Sequence, residues 1–198
     1  QKGGPPIPAP PSAPPHLKWY DWLLVVSIDM LGPFSSDSYI PNMPELMADL
    51  STSYALLGLT LQLNWICKGF STLLLGSYSD KAGRRPVLLG SLVVYILGTA
   101  GCALAPHMCI FLVARIVQGI GEGCAAITSA VARDVLQDPG ERMQMLAILG
   151  TIRPVTIIAA PSIGGLLGSA FGWRRVFVML CVWGFVNMVC VAAFLPET

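Results

Sequence analysis

The stretch that decides the fold reads Gly76-Ser77-Tyr78-Ser79-Asp80-Lys81-Ala82-Gly83-Arg84-Arg85-Pro86, and it lies between two long apolar segments. Gly83 permits a sharp backbone reversal, because glycine adopts conformations that other residues avoid. A short charged turn between two apolar segments predicts a pair of helices that cross a membrane, with the turn at its surface. We expect Arg84 to pair with one of three acids: Asp80, Asp134 or Glu141.

The composition indicates that lipid surrounds most of the chain. Of the 198 residues, 54% are hydrophobic and only 12% are charged, with a mean hydropathy of +0.66. A soluble domain has about a quarter of its residues charged. The net charge of +1 argues against nucleic acid as a partner, because phosphate binding requires a basic surface.

Six apolar segments are long enough to cross a bilayer, which takes about 20 residues. They predict an all-α membrane protein with six transmembrane helices. A Pro-rich N-terminal tail, residues 1–18, precedes the six-helix domain of residues 19–198. The spans are Trp22–Ile40, Ala55–Ser77, Val87–Ala105, Ile110–Ala132, Ala147–Phe171 and Val176–Leu195.

Basic residues orient the bundle, because cytosolic loops carry an excess of Lys and Arg. We therefore predict a multi-pass membrane protein with both termini on the cytosolic, or equivalent inner, side. The outer segments then contain only Arg174 and Arg175. The inner segments contain seven basic residues: Lys2, Lys18, Lys81, Arg84, Arg85, Arg133 and Arg142.

No motif of the sequence points to an enzyme. We find no phosphate-binding loop, no nucleophile elbow, and no Cys pair with metal-ligand spacing and accompanying His. We expect no cofactor and no metal. The charged turn between two spans instead favours a transporter.

The turn has the pattern G-x-x-x-D-x-x-G-R-R, and four other segments accompany it. Arg115-Ile-Val-Gln118-Gly119-Ile-Gly121 lies in the fourth span, and Ala160-Pro161-Ser-Ile-Gly164-Gly165 in the fifth. Gly172-Trp173-Arg174-Arg175-Val-Phe177 and Leu195-Pro-Glu-Thr198 border the sixth. Together they resemble the major facilitator superfamily, with Ala160 in place of the usual glycine of its antiporter motif.

Within that superfamily, the chain is most similar to drug:proton antiporters of the bicyclomycin-resistance type. Asp37-Ser-Tyr39-Ile-Pro41-Asn-Met-Pro44 and Val131-Ala-Arg133-Asp134 carry this similarity. The resemblance implies two six-helix halves, each a 3+3 repeat, that bind the substrate between them. The 198 residues correspond to the first half, so we expect transport to need a second half or other membrane subunits.

Ionisable residues inside a membrane are costly and mark functional sites or ion pairs. Asp29 and Asp37 lie about two turns apart on the first span. The resemblance implies that such acids bind protons and cationic substrate in competition. For Asp37, a surface role at an outer turn is the alternative; for Asp29, it is a structural ion pair with Lys68.

Three other charges lie within the predicted spans. Arg115 and Glu122 should share one face of the fourth span, and the resemblance gives Arg115 a role in coupling protonation to movement. The alternative is a structural ion pair of Arg115 with Glu122 or Asp37. Arg153 on the fifth span could balance Glu122.

The resemblance assigns an inner gating loop to Gly76, Asp80, Gly83, Arg84, Arg85 and Asp134. Small residues spaced four apart allow helices to approach closely, which predicts packing roles for Gly119, Gly123 and Gly164. Pro161 and Gly165 belong to the antiporter motif with Gly164. Pro161 should bend the fifth span.

Two functions follow from these patterns. The first is one half of a proton-coupled antiporter that moves small organic compounds by alternating access. The second is a structural or accessory subunit of a larger membrane complex, derived from a transporter but without transport activity. The extra cations Lys68 and Arg153 favour the second function, and the intact charged turn favours the first.

Overall fold

A computed structural model of the chain describes residues 19–135 and 138–194. The predicted tail, residues 1–18, and the side chain of Asp134 lie outside the described part. The helices are α1 (Trp19–Asp37), α2 (Met43–Asp49), α3 (Tyr54–Ala82), α4 (Arg84–Leu104), α5 (Met108–Gly121), α6 (Cys124–Val135), α7 (Pro139–Phe171) and α8 (Trp173–Phe194). A short 3₁₀ turn, Ile40–Asn42, precedes α2.

No strand occurs among the described residues, which confirms the all-α prediction. Four segments are long and apolar enough to cross a membrane: Arg84–Leu104, Met108–Val131, Pro139–Phe171 and Trp173–Phe194. The helices α1 and α3, with 19 and 29 residues, are not among these four, although each corresponds to a predicted span. The count of six spans and the 3+3 repeat therefore stay predictions.

Large apolar side chains cover much of the outer surface. Phe70 and Leu73 on α3 are 67% and 72% exposed, and Ile158 and Leu166 on α7 are 76% and 73% exposed. Exposed apolar surface of this extent is a liability in water but matches the acyl chains of a lipid bilayer.

The interior contains two apolar clusters with polar side chains between them. On α4, the buried Thr99 lies between Tyr95 of one cluster and Cys102 of the other. Gln118 occupies the equivalent place on α5 and donates to Thr99 Oγ1 at 2.9 Å. Because buried polar groups need hydrogen-bond partners, this layer fixes the register between helices.

The reversal between α3 and α4 depends on one residue, Gly83. Its φ of +92° lies in the left-handed region, which side chains with a Cβ avoid. The two helices are therefore joined without a loop, as the charged turn predicts.

Glycines bring α7 against the turn that follows α1. A Cβ added at Gly164 would overlap the backbone of Ser38, and one added at Gly168 would overlap the side chain of Asn42. The close approach also allows Asn42 Nδ2 to donate a hydrogen bond to the Gly164 carbonyl at 2.9 Å. Helices gain dispersion contacts from such close approach when lipid offers no hydrophobic drive.

We predict that Gly164→Ala destabilises the bundle, because the new methyl group meets backbone that cannot move aside. Overpacking of this kind costs about 1–3 kcal/mol. The midpoint of thermal unfolding, measured on the purified chain in detergent micelles, should fall by several degrees. The matched control is Gly150→Ala on the same helix, where an added Cβ meets nothing within 4 Å. An equal effect of both substitutions would contradict the packing role of Gly164.

Candidate functional site

The fourth predicted span is broken at Glu122. α5 ends at Gly121 and α6 begins at Cys124. Across the break, two backbone hydrogen bonds join residues three apart instead of four: Gly123 N donates to Ile120 O, and Ala126 N donates to Gly123 O. The Ser71 hydroxyl also donates to Ile120 O, at 2.5 Å. α5 therefore ends before Glu122, but Arg115 and Glu122 still face the same element, because both contact Ser35 of α1.

The carboxylate of Glu122 is fully buried and meets α1 and α3. Ser35 Oγ donates to Oε1, and Ser36 Oγ lies 3.5 Å from Oε2. The ammonium nitrogen of Lys68 lies 3.4 Å from Oε2, which makes a buried ion pair. Gly32 leaves space for this ammonium, because a Cβ there would lie 2.5 Å from it.

Asp29 forms a second ion pair, across α1 and α7. Arg153 binds it with two hydrogen bonds, Nε to Oδ2 and Nη2 to Oδ1, each 2.7 Å long. The hydroxyl of Thr128 on α6 is 3.1 Å from Oδ1. A two-bond Arg–carboxylate contact is among the strongest polar contacts in proteins.

The structure therefore exchanges the partners that the sequence suggested. Asp29 pairs with Arg153 rather than with Lys68, and Glu122 pairs with Lys68 rather than with Arg153. The reason is the helix packing: Glu122 lies against α1 and α3, whereas α7, which carries Arg153, packs against α1 beside Asp29.

Arg115 is a buried cation that pairs with neither expected acid in the described part of the chain. Its Nη1 donates to Gln118 Oε1 at 2.9 Å and to the Ser35 carbonyl at 3.3 Å. Its guanidinium lies among three aromatic rings, at 3.8, 4.9 and 5.4 Å from their centroids: Tyr39, Phe177 and Phe111. Cation–π contact compensates part of the cost of burying this charge.

Asp37 stands at the end of α1 and is half-buried. Its Oδ2 atom is inaccessible to solvent and makes no hydrogen bond to any described residue. Two guanidinium nitrogens of Arg115, Nε and Nη2, are likewise buried without a hydrogen-bond partner among these residues. The charges of Lys68, Glu122 and Arg115, in decreasing order, all act on Asp37, so these groups belong to one polar region.

A cavity of about 400 Å³ lies beside the two ion pairs. Small organic ligands bind in pockets of this size class. α1, α3, α6 and α7 line it, and its charged residues are Asp29, Lys68 and Arg153. Asp37, Arg115 and Glu122 are not among the residues that line it.

At the predicted gating loop, Arg84 Nη1 lies 2.5 Å from Asp80 Oδ1 and donates to Ser79 Oγ at 2.6 Å. Arg85 Nη2 donates to the carbonyl of Ala192 on α8. A Cβ at Gly76 would lie in ordinary contact with Ala126. The loop thus ties α3, α4 and α8 together at one end of the bundle.

Other predicted residues are packing positions. Cβ atoms at Gly119 and Gly123 would meet Asn64 and Ser71 of α3, and one at Gly165 would meet Pro41. Pro161 lies inside the continuous helix α7. No group of three or more metal-binding side chains occurs in the described ranges.

Sequence reasoning missed the neutral partners of the charges. These partners are the hydroxyls of Ser35, Ser36 and Thr128 and the three rings around Arg115. The sequence does not show which charge each of them contacts. The only available signal was the cluster of serines after Pro33, which is unusual in an apolar segment.

Comparison with known proteins gives a consistent result. The family model of the Major Facilitator Superfamily matches residues 26–198. The chain is 33% identical over 177 residues to a chloramphenicol resistance protein of Pseudomonas aeruginosa, covering 89% of this chain and 42% of that one. It is 29% identical over 170 residues to the multidrug resistance protein MdtL of Shigella dysenteriae, covering 85% of this chain and 43% of that one.

Solved structures agree on the fold. A bacterial homologue of the human lysosomal transporter Spinster, solved inward-facing, aligns with a TM-score of 0.77 at 19% identity, over 90% of this chain and 43% of that one. The human organic anion transporter MFSD10 aligns with a TM-score of 0.68 at 22% identity, over 89% and 47%. The chain spans less than half the length of the curated relatives it matches.

Members of this family are membrane transporters rather than enzymes, and the apolar helices described above fit an integral membrane protein. With a family model that matches 173 residues in one continuous range, the chain belongs to the Major Facilitator Superfamily.

Proposed function

We propose that the chain forms one six-helix half of a proton-coupled antiporter that exports small organic compounds by alternating access. A second six-helix half completes the substrate site, and both ends of this half lie on the cytosolic side. The observation that carries the proposal is the set of buried charges held between helices around a cavity of about 400 Å³. Ionisable groups inside a membrane are costly and often mark the path of a substrate or a proton.

Asp37 is the proposed proton carrier. A buried carboxylate oxygen without a donor is poorly stabilised as an anion but acceptable as a neutral acid. Its Oδ2 atom is in this situation within the described structure. The proton therefore binds at the outer end of α1, next to the turn on which α7 packs.

Arg115 is the proposed link between this proton and movement of the helices. Its cation lies among rings from the 39–42 turn, α5 and α8. When Asp37 loses its proton, a new anion attracts this guanidinium. Displacement of Arg115 from Tyr39 would loosen the contact between the outer ends of these helices, which is the kind of change that alternating access requires.

Chloramphenicol is a reasonable first test substrate, because one relative is named a chloramphenicol resistance protein. The Asp80–Arg84 pair and the Asp134 region form the proposed inner latch, which closes against the second half. The bilayer and that second half are the partners required.

The alternative function, an accessory subunit without transport, also has support. Asp29 and Glu122 are each neutralised by a cation, and such pairs can serve structure alone. The two functions predict different results when both charges of one ion pair are replaced by neutral side chains. An antiporter loses transport, whereas a structural pair is dispensable once neither charge is left unpaired.

We predict that Asp37→Asn abolishes transport driven by a pH gradient and leaves exchange without a gradient intact. Asparagine keeps the shape of the side chain but cannot carry the proton. The measurement is chloramphenicol uptake by proteoliposomes that contain the chain combined with a second six-helix half. The control is Glu45→Gln, an exposed acid on α2, which should transport normally. Gradient-driven uptake that survives Asp37→Asn would refute the proton role.

We predict that the double variant Asp29→Asn with Arg153→Gln is more stable than either single variant but does not transport. Each single substitution leaves a charge without its partner, which costs about 3–5 kcal/mol for a buried pair, less here because Arg153 is 40% exposed. The double substitution removes both charges. Thermal unfolding should recover toward the wild-type midpoint, while uptake in the same proteoliposomes stays below a tenth of wild type.

If the double variant transports as well as wild type, the pair is structural. If neither wild type nor any variant moves chloramphenicol or related compounds under a gradient, the antiport function is refuted.

A further inference from the structure

The cavity beside the ion pairs exposes its cations and hides its anions. The side chains of Lys68 and Arg153 are 12% and 40% exposed, whereas those of Glu122 and Asp29 are 0% exposed. Although the four charges sum to zero, a molecule inside the cavity meets the positive groups first.

Both oxygens of each carboxylate already have contacts with neighbouring side chains. Both oxygens of Asp29 accept from Arg153, and Thr128 adds a third contact. Both oxygens of Glu122 face Ser35, Ser36 or Lys68. A cationic ligand would have to displace these contacts before it reached a carboxylate.

The cations, in contrast, keep donors available. Lys68 has three N–H groups, of which one is directed at Glu122. The Nη1 group of Arg153 makes no hydrogen bond within the described residues, because Nε and Nη2 provide its contacts to Asp29 and Ser129. An oxyanion could bind these free donors while both ion pairs stay intact.

The rest of the wall is apolar and aromatic. The ring of Trp65 lines the cavity, is 44% exposed, and lies 4.7 Å from the Lys68 ammonium. Pro33, Ala125, Ala126 and Ile157 complete this surface. An aromatic body would pack against these groups with its charged end at Lys68 and Arg153.

We propose that the cavity binds an organic anion, with a carboxylate or sulfonate held by Lys68 and Arg153 and an aromatic body against Trp65. This rests on the proposed function and names the substrate class of the same site. It differs from the resemblance, which implies a cationic substrate bound at acids of the first span. Asp37 does not line the cavity, so the proposed anion and proton sites use different residues.

The first test compares three probes of nearly equal shape: 2-naphthoate, its methyl ester, and 2-naphthylmethylammonium. Binding to the chain in lipid nanodiscs is measured by isothermal titration calorimetry, with empty nanodiscs subtracted. We expect the carboxylate to bind about tenfold more tightly than the ester, which is the gain typical of a charge-assisted hydrogen bond. Equal affinity for ester and carboxylate, or tighter binding of the ammonium, would overturn the proposal.

The second test asks whether naphthoate affinity rises or falls when the carboxylate paired with Lys68 is neutralised. Glu122→Gln removes the negative charge behind Lys68, so naphthoate affinity should rise roughly three- to tenfold. Glu122→Gln with Lys68→Met removes both charges, and affinity should fall below wild type. Arg175→Gln, an exposed cation outside the cavity, is the matched control and should leave the affinity unchanged.

A fall in naphthoate affinity with Glu122→Gln alone, in a variant whose thermal midpoint is normal, would overturn the proposal. If that variant does not fold, the comparison of the three probes on the unsubstituted chain decides the proposal on its own. The serine hydroxyls around Glu122 can still bind the glutamine amide, which favours a folded variant.

Failure of this proposal is distinguishable from failure of the proposed function. Naphthoate binding is measured without a pH gradient, so it does not depend on proton-coupled movement. Tight binding without gradient-driven movement would refute only the antiport function. Gradient-driven movement of chloramphenicol without any preference for anions would refute only the anion site.

Discussion

The structure depends on the pairing of charges where water is scarce. A bilayer offers no solvent to a bare carboxylate or guanidinium, so each must find a partner on another helix. Arg153 and Asp29 join α7 to α1, and Lys68 and Glu122 join α3 to the break between α5 and α6. Three of these elements, α1, α3 and α7, line the cavity together with α6, so groups that stabilise the bundle also determine what the cavity offers a ligand.

Glycines make this pairing possible, because a side chain can reach across an interface only if the backbones are close. At Gly32 the missing side chain leaves room for the Lys68 ammonium, and at Gly123 it lets α3 approach the helix break. Beyond the end of α1, Gly164 and Gly168 hold α7 against the turn that follows Tyr39, whose ring covers Arg115. Packing and electrostatics are therefore two aspects of one arrangement.

Much of the fold was predictable from the sequence, because apolar segments of about 20 residues and the Gly83 reversal are local signals. The identity of the charged residues was equally visible. Their partners were not, since they depend on which helices pack against Asp29 and Glu122, and no local pattern gives that packing. The aromatic surroundings of Arg115 were also beyond sequence reasoning, because Tyr39, Phe111 and Phe177 come from three distant segments that only packing brings together.

The most direct test of this account is the coupling free energy between the charged residues, measured by double-mutant cycles on chain unfolding in micelles with Asp29→Asn, Glu122→Gln, Lys68→Met and Arg153→Gln. Residues in contact couple by about 0.5–3 kcal/mol, and distant ones by much less. We predict coupling of this size for Asp29 with Arg153 and for Glu122 with Lys68, and values close to zero for the crossed combinations. Strong coupling between Asp29 and Lys68, or between Glu122 and Arg153, would contradict the account.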